Sequence, residues 1–298
     1  MDTATQVKAY RDCIANLVGL PTLPTIAMEI QQIMRDDQLS VAQTVPILEQ
    51  DPSLAMKILK VANSAFYGMD RPIESLRQAV VILGMRELAG IALGFSVLKA
   101  LSQGSNDQVI NWKRFWEHSI AVAHLTELLD DELGIHSEHS PYSLGLLHDI
   151  GKLVLHRLDG ALYEETRLLA HSETLQGYDA ERRMFGLTHM EAGRIIAEKW
   201  GLSTAIQETI QQHHDPESIE TEDVRIVAAM VNLADYIANL NGMNFELKQL
   251  RVDDWVPAGW KVLQQVSFQA KNHSFDEFLL DMDEHWSAIR EMVRLLEM

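Results

Sequence analysis

The sequence predicts an all-α, two-lobed helical protein. Apolar residues recur at the spacing of helical turns along nearly all of the 298 residues. Runs of alternating β-branched and aromatic residues, which mark strands, are missing. A single hydrophobic core stops growing at roughly 250 to 300 residues, so we expect a chain of this length to fold as two lobes that share an interface.

The first lobe is expected at residues 1–105, where successive helix starts can be read. A proline-containing turn precedes a helix from about Thr25, and Asp51 is placed to cap a helix over 53–63. Apolar helices follow between 79 and 101. The longest uncharged piece of that stretch is about half of the roughly 20 residues that a membrane span needs, so we expect a buried helix there.

A second lobe is expected at residues 106–243, after a cluster of turn residues at 103–107. Thr188 and Glu191 form a capping-box pattern at the start of one of its helices. Residues 244–298 are rich in tryptophan and end in an amphipathic segment, which predicts a C-terminal helical extension. The helices expected in the second lobe cover about 112–133, 141–158, 189–200, 203–214 and 223–239.

The composition restricts the partners of the chain. Lys plus Arg is 25 against 43 Asp plus Glu, and the formal charge of −18 would repel a phosphate backbone, so general nucleic-acid binding is not expected. Cys13 is the sole cysteine, which rules out an internal disulfide and leaves histidine and carboxylate side chains as metal ligands. The first residues show no leader and no apolar anchor, so we expect a cytoplasmic protein without a membrane partner.

Seven histidine and aspartate residues of the second lobe are spaced as metal ligands would be. The adjacent pair His148-Asp149 offers an imidazole nitrogen and a carboxylate oxygen from a single turn, which suits a borderline divalent ion such as zinc, iron or manganese. Helical bundles build metal sites from side chains that converge from facing helices. Taken one at a time, none is persuasive: the alternatives are a hydrogen-bonded core residue for His118, a polar helix end for His213 and His214, and a buried, paired carboxylate for Asp235. The candidate ligands are His118, His148, Asp149, His189, His213, His214 and Asp235.

Lys152 lies four residues after His148, so the two are expected to share a helix face, with Asp149 turned away by about a quarter-turn. A lysine at this place can hold a phosphate oxygen beside an activated water. A solvated surface lysine is the alternative. His156 continues the same face, and the remaining histidines are expected to be surface or structural residues.

Several motifs carry a family resemblance. The segment Gly145-Leu-Leu-His-Asp-Ile-Gly-Lys152 resembles the HD superfamily of metal-dependent phosphohydrolases. Four motifs of the first lobe closely resemble the signature of HDOD domains, the HD-related output domains of bacterial signalling proteins. The resemblance covers roughly residues 15–240 and implies an HD-type helical core in the second lobe. The four motifs are Leu20-Pro-Thr-Leu-Pro-Thr25, Asp51-Pro-Ser-Leu-Ala-Met-Lys-Ile-Leu59, Ala62-Asn-Ser-Ala-Phe-Tyr-Gly68 and Ala79-Val-Val-Ile-Leu-Gly84.

The related HD-GYP phosphodiesterases cleave cyclic di-GMP with two or three metal ions, and all seven candidate ligands and Lys152 find a counterpart in them. This chain lacks the glycine-tyrosine-proline loop after its paired histidines, which argues against cyclic di-GMP hydrolysis. Arg114 stands where three-metal members supply a glutamate, so at most two ions are expected. The resemblance implies one ion held by His118, His148, Asp149 and Asp235 and a second completed by His189, His213 and His214, with Asp149 bridging.

These features predict a bacterial signal-transduction protein that binds one or two divalent ions (Fe, Mn, Zn or Ni) and acts on a phosphoester or nucleotide as a metal-dependent phosphohydrolase or phosphodiesterase. Asp149 and Lys152 are the candidate catalytic residues, because a bridging carboxylate and a nearby lysine can activate water and neutralise charge on phosphoryl oxygens. The alternative is a non-catalytic regulatory module that recognises a signalling protein partner or a signalling nucleotide and carries a structural metal. Asn63 and Ser64 are its candidate binding residues, unless they only end a packed helix.

Overall fold

The computed structural model confirms the all-α prediction. It describes residues 3–35, 39–102, 111–245 and 256–297, and no strand occurs within these ranges. Short 3₁₀ helices lie at Ala65–Tyr67, Pro216–Ser218 and Asp283–His285. The α-helices are α1 Thr3–Ala15, α2 Thr25–Arg35, α3 Val41–Leu48, α4 Pro52–Ala62, α5 Leu76–Leu83, α6 Met85–Ser102, α7 Trp112–Glu132, α8 Pro141–Leu147, α9 Ile150–Leu158, α10 Gly160–Glu173, α11 Gly177–Met184, α12 His189–Lys199, α13 Thr204–Gln212, α14 Glu222–Leu240, α15 Ala258–Val266, α16 Phe268–Asn272, α17 Phe275–Met282 and α18 Trp286–Glu297.

The helix that follows Asp51 begins where the sequence predicts. The Asp51 carboxylate accepts hydrogen bonds from the backbone amides of Ser53 (3.0 Å) and Leu54 (3.1 Å), which satisfies two of the free donors at the start of α4. Its second oxygen lies 2.7 Å from Lys99 Nζ in α6. The cap therefore also fixes α4 against the apolar helix of the first lobe.

Helix α6 is buried over most of its length, as predicted for this apolar stretch. It packs against α2, α4 and α8, so it joins the first lobe to the second. Among the helices of the described ranges, none is by itself long and apolar enough to cross a membrane; α5 and α6 meet at 114° and reach that length and composition only as a pair.

Helix α7 is the centre of the second lobe. It packs against α8, α14 and α18, while α9 packs against α12 and α12 against α13. Thr188 and Glu191 form the predicted capping box at the start of α12, which places His189 as the first residue of that helix. The segments that carry the candidate ligands therefore meet in one region of the fold.

The prediction of one continuous helix over 141–158 is wrong, because the helix is interrupted at His148 and Asp149, between α8 and α9. Two glycines flank the interruption. A Cβ atom on Gly145 would lie 2.7 Å from a Cα atom of α7, and one on Gly151 would lie 1.7 Å from the carbonyl oxygen of His189. Both positions therefore require glycine, because any side chain there would clash with a neighbouring segment.

The C-terminal helices pack on the rest of the molecule. Trp260 of α15 is 1% exposed, and Lys57 Nζ of α4 donates a hydrogen bond to the carbonyl oxygen of Leu296 at 3.0 Å. One apolar cluster extends from Ile14 to Leu296, so the described parts share a continuous core.

The domain bounds stay a prediction. They are 1–105, 106–243 and 244–298, and the turn cluster at 103–107 that suggested the first of them lies outside the described residues.

Candidate metal centre

All seven candidate ligands come together at one place in the second lobe. Five of them are at most 1% exposed, whereas His214 and Asp235 are partly exposed. Solvent therefore reaches the cluster from the side of those two residues. The enclosed members are His118, His148, Asp149, His189 and His213.

Asp149 lies in the middle of the cluster, and its two oxygens face different histidines. Oδ2 is 3.4 Å from His148 Nε2 and 3.6 Å from His118 Nε2. Oδ1 is 3.4 Å from His189 Nε2 and 3.8 Å from His213 Nε2. This is the arrangement that a carboxylate shared between two ions requires.

The cluster divides into two halves around Asp149. Ligand atoms of His118, His148 and Asp149 lie within 4.8 Å of one another, and we call these residues with Asp235 the first half. Ligand atoms of His189, His213 and His214 also lie within 4.8 Å of one another, and these residues form the second half. Each half supplies enough donors for one divalent ion.

Asp235 joins the first half from α14. Its Oδ1 is 3.2 Å from His118 Nε2 and 3.9 Å from His148 Nε2. Asn239, one turn later in the same helix, donates a hydrogen bond to this oxygen at 2.8 Å. The Asp235 carboxylate is therefore held towards the histidines on the side that solvent can reach.

Backbone carbonyl groups fix the orientation of three of the histidines. In each case Nδ1 donates to a carbonyl oxygen, so Nε2 is the nitrogen left to act as a ligand. All three Nε2 atoms point towards Asp149. The bonds join His118 to Met243 (2.8 Å), His148 to Gly145 (2.7 Å) and His213 to Ile210 (3.0 Å).

Two polar atoms at the centre of the cluster have no hydrogen-bond partner within the described ranges. They are His148 Nε2 and Asp149 Oδ1, and both are fully buried. Buried polar atoms in proteins are nearly always satisfied, so these two require a ligand between them and their neighbours. A donor set of imidazole nitrogens and carboxylate oxygens fits a borderline divalent ion of the zinc, iron, manganese or nickel type.

Glu181 in α11 is a residue of the site that the sequence analysis missed. Its Oε2 accepts hydrogen bonds from the backbone amide and from Nδ1 of His189, both at 2.7 Å, and the residue is 2% exposed. A carboxylate behind a ligand histidine fixes the ring and makes it a better donor. No local pattern marks Glu181, because its partner becomes apparent only when α11 packs beside α12.

Asn232 in α14 is a second missed residue. Its Nδ2 donates to the carbonyl oxygen of His213 at 2.7 Å, and its Oδ1 accepts from the backbone amide of Gly259 at 2.9 Å. The side chain therefore ties the end of α13 to α14 and to the C-terminal helices. The C-terminal segment contributes to the position of His213 through this contact.

Lys152 is not the solvated surface lysine of the alternative interpretation. It is 7% exposed, and its Nζ lies 2.7 Å from Asp149 Oδ2. The predicted phosphate-binding role is not tested by this contact, but the contact places the ammonium group beside the central carboxylate.

The first half is strongly charged. Burial lowers the pKa of His118. Its hydrogen bonds to Asp149 and Asp235, together with the negative charges of these two residues, outweigh burial and raise that pKa to about 9. Burial alone would raise the pKa of both aspartates. The neighbouring histidines, and Lys152 in the case of Asp149, instead hold both carboxyl pKa values well below the usual range.

The second half is close to neutral. Burial lowers the pKa of His214 to about 4 and that of His213 well below its usual value, and the adjacent histidines add to both effects. His189 differs, since Glu181 outweighs burial and raises its pKa. Two of the three rings are thus neutral at pH 7 and can bind a metal ion without first losing a proton.

The structure shows the two places at which the sequence departs from HD-GYP enzymes, the segment after the paired histidines and the position of Arg114. After His214 the chain forms the short 3₁₀ helix Pro216–Ser218 and enters α14 at Glu222, so only a brief connection occupies the position of the missing loop. Arg114 is exposed in the first turn of α7.

The candidate binding residues of the first lobe lie at the end of α4. Asn63 Nδ2 donates to the carbonyl oxygens of Leu59 and Ile73, each at 2.8 Å, and its Oδ1 accepts from the Ile73 amide at 2.6 Å. Ser64 is 3% exposed. These contacts are those of a helix end that packs on its neighbours, and a binding role for the pair stays a prediction.

Solved structures share this fold. An HDOD domain protein of unknown function from Geobacter sulfurreducens superposes with a TM-score of 0.79 at 28% identity, and the match covers 99% of each chain. A protein from Shewanella amazonensis SB2B, described only provisionally as a phosphohydrolase, superposes with a TM-score of 0.69 at 22% identity, covering 97% of this chain and 98% of that one. The second likeness concerns the fold alone.

Curated relatives match over part of their length. Ribonuclease Y of Deinococcus radiodurans is 31% identical over 113 residues, which is 38% of this chain and 15% of the ribonuclease. The chain spans less than half of the length of the curated relatives that it matches.

The sequence also matches the model of the HDOD domain over residues 20–216, about two thirds of the chain. This range contains the four motifs of the first lobe, the His148-Asp149 pair and both members of the His213-His214 pair. The chain belongs to the HDOD family.

Proposed function

We propose that this HDOD protein binds two divalent metal ions in its second lobe and hydrolyses a phosphoester in response to a signal. The observation that carries the proposal is the position of Asp149, whose two oxygens face two separate groups of histidines at 3.4 to 3.8 Å. Structural metal sites in proteins are closed by one set of ligands, whereas paired sites with a shared carboxylate are typical of enzymes that act on phosphate esters.

Divalent ions in such a site supply a nucleophile at neutral pH, because they lower the pKa of water to about 7. The residues of the chain then have separate roles in the proposal. Asp149 holds both halves together, and the carbonyl groups behind His118, His148 and His213 keep the Nε2 atoms in place. Lys152, 2.7 Å from Asp149, offsets the negative charge that develops on the phosphoryl oxygens.

The partly exposed side of the site, at His214 and Asp235, is the proposed entrance for the substrate. The partial similarity to a protein named Ribonuclease Y is consistent with a phosphodiester as the substrate class. A formal charge of −18 opposes binding of a long nucleic acid, which favours a small phosphoester or nucleotide. The short connection after His214 gives no support to cyclic di-GMP.

A regulatory module with a bracing metal is the second candidate function. The observation that favours it is the burial of five of the seven ligands to 1% exposure or less, which leaves a narrow approach for a substrate. In that case a signalling nucleotide or a partner protein would bind without being transformed, and the ions would only join α7, α12, α13 and α14.

Turnover by metal-loaded protein tests the proposal. We would offer Mn²⁺-loaded and Fe²⁺-loaded protein a panel of nucleoside phosphates, linear and cyclic dinucleotides and an aryl phosphodiester, and compare it with the double variant His148→Ala/Asp149→Ala. His171→Ala, which removes an exposed histidine of α10, serves as the control.

The proposal predicts hydrolysis of at least one phosphoester by the wild type and the control, and none above background by the double variant. Hydrolysis that survives in the double variant contradicts the mechanism. Metal binding without turnover of any member of the panel would favour the regulatory module.

A further inference from the structure

A second group of ionisable residues lies outside the metal centre, around a cavity of about 550 Å³ between the corner of α5 and α6 and the C-terminal half of α7. We call it the junction cavity. Its polar wall contains Tyr67, Glu87, Glu127, Asp130 and Asp131. Glu127 comes nine residues after His118 in α7, which corresponds to about 13 Å along the helix, so the cavity is separate from the metal ligands.

The carboxylates of the junction cavity are bound by neutral donors. Glu87 Oε1 accepts from the backbone amide of Tyr142 at 3.2 Å, and Asp130 Oδ1 accepts from that of Ser137 at 2.9 Å. Glu127 Oε1 accepts from the hydroxyl group of Tyr67. Within the described ranges, no lysine or arginine forms an ion pair with any of the four carboxylates.

The cationic side chains closest to the cavity are engaged elsewhere or are histidines. Arg86 and His139 also line the cavity, but Arg86 donates to the carbonyl oxygen of Glu138 and His139 Nε2 lies 3.2 Å from Asp223 Oδ2. His124 Nδ1 is 3.9 Å from Glu127 Oε2, and burial lowers the pKa of this ring to about 4, so it is neutral at pH 7. His136 has a ring nitrogen within 4.8 Å of ligand atoms of Asp130 and Asp131. The carboxyl groups of the cavity therefore have no lysine or arginine ion-pair partner among the described residues.

One buried polar atom provides an independent indication of a ligand. Glu127 lines the cavity and is 8% exposed, and its Oε2 has no hydrogen-bond partner among the described residues. Native proteins satisfy nearly all such atoms, so Glu127 favours a donor in the cavity.

Burial and mutual repulsion both raise the pKa values of these carboxyl groups. Burial raises the pKa of Glu87 to about 8, and the charges of Asp130 and Asp131 contribute to the rise. The pKa of Glu127 is raised by burial and by Glu87. Glu87 therefore holds a proton at pH 7, and a bound ammonium group would displace it.

We propose that the junction cavity binds a small aliphatic amine that carries two or more ammonium groups. Carboxylates on α6 and α7 provide acceptors at more than one point of the wall, which suits separate ammonium groups. Leu39, Ile82, Leu83 and Met85 form apolar parts of the wall, which suit a methylene chain between the ammonium groups. A volume of about 550 Å³ is far larger than a single metal ion needs.

Such a ligand would join two parts of the molecule. Tyr67 and Glu87 belong to the first lobe, whereas Glu127, Asp130 and Asp131 belong to α7, the helix that also carries His118. An amine in the cavity would therefore connect Tyr67, which lies in one of the first-lobe motifs, with the central helix of the metal-binding lobe.

Calorimetric titration of the full chain with spermidine tests the proposal. Ionic strength is held constant with salt, because a chain of charge −18 attracts any polycation weakly. Butylamine and MgCl₂ are titrated as comparison ligands. The variants are Glu127→Gln at the buried wall, Asp131→Asn at the exposed rim and Asp276→Asn, an equal change of charge in α17 that serves as the control.

The expected result is saturable binding of one spermidine per chain, weaker by at least about tenfold in Glu127→Gln and less affected in Asp131→Asn, because loss of a charged acceptor weakens its hydrogen bonds. The control should bind as the wild type does. If Glu127→Gln fails to fold, as judged by urea unfolding, Asp131→Asn decides the outcome.

Three results would overturn the proposal. One is no saturable binding, and another is equal weakening in all three variants, which would indicate diffuse surface charge. The third is stoichiometric binding of Mg²⁺ with none of spermidine, which would make the cavity a metal site.

Discussion

The two halves of the metal centre use the same residue types but differ in charge. The first half places Asp149 and Asp235 beside His118 and His148, and the pKa of His118 rises to about 9. The second half consists of three imidazoles, two of which have lowered pKa values, and its carboxylate, Glu181, stands behind His189 rather than among the ligands. The difference implies that an ion enters the first half in exchange for a proton, whereas His213 and His214 of the second half are already neutral at pH 7.

Replacement of Asp149 should abolish the distinction between the halves, and it has the largest expected effect. Asp149→Asn removes the charge that both halves share and leaves Lys152 without its ionic partner. We expect metal affinity to fall in both halves by more than the 10- to 100-fold that is typical for loss of an outer partner. Titration of Mn²⁺ into chelator-treated protein would measure the loss, and two unchanged binding events would contradict a shared carboxylate.

Replacement of one ligand on the partly exposed side should remove the metal ion of one half and leave that of the other. Asp235→Ala removes a ligand of the first half only, and His214→Ala removes one of the second half only. Each variant is therefore expected to lose one of two metal equivalents and to keep the other. Metal content determined by mass spectrometry would show this, with each variant as the matched control of the other. Loss of both equivalents in both variants would mean that the halves form one site.

Glu181→Gln should weaken the second half selectively. The amide keeps an acceptor for His189 but loses the negative charge, so the ring becomes a poorer donor. Affinity for the second ion should fall by about 10- to 100-fold, while the first ion is bound as before. The same Mn²⁺ titration measures this change, and equal weakening of both ions would argue that Glu181 supports the fold rather than the second half.

The metal-free protein should lose stability on both sides of neutral pH, for opposite reasons. The folded pKa of His118 is above the unfolded value of 6.5, so its contribution is complete below pH 6.5 and is lost as pH rises through about 9. The folded pKa of His214 is about 4, so the unfolded chain takes up the proton first, and stability is lost as pH falls from about 6.5 towards 4.

Urea unfolding of chelator-treated protein at pH 5, 6.5 and 8.5 would measure these changes, which we expect to be about 1–2 kcal/mol on each side. His214→Gln should reduce the decrease on the acid side and leave the alkaline side unchanged. A free energy of unfolding that does not depend on pH would contradict the assigned charges of the two halves.

Local chemistry made much of the fold predictable. The cap at Asp51 and the capping box at Thr188 and Glu191 depend on residues a few positions apart, so the starts of α4 and α12 could be read from the sequence. The candidate ligands could be named because the His148-Asp149 pair and the family motifs mark them. The interruption between α8 and α9 could not, because neither proline nor glycine stands at positions 148 and 149 to mark it.

The supporting residues were hidden for a similar reason. Glu181 lies eight residues from His189 in another helix, and Asn232 bonds to His213, 19 residues before it, and to Gly259, 27 residues after it. Neither contact leaves a pattern in a single sequence. The junction cavity likewise exists only because the corner of α5 and α6 packs near the end of α7.

Anomalous scattering from crystals of Mn²⁺-loaded protein is the most direct test of the metal centre. We predict two peaks on opposite sides of Asp149, one within ligand distance of His118, His148 and Asp235 and the other within ligand distance of His189, His213 and His214. A map with no peak beside Asp149, from protein that binds Mn²⁺ in solution, would contradict it.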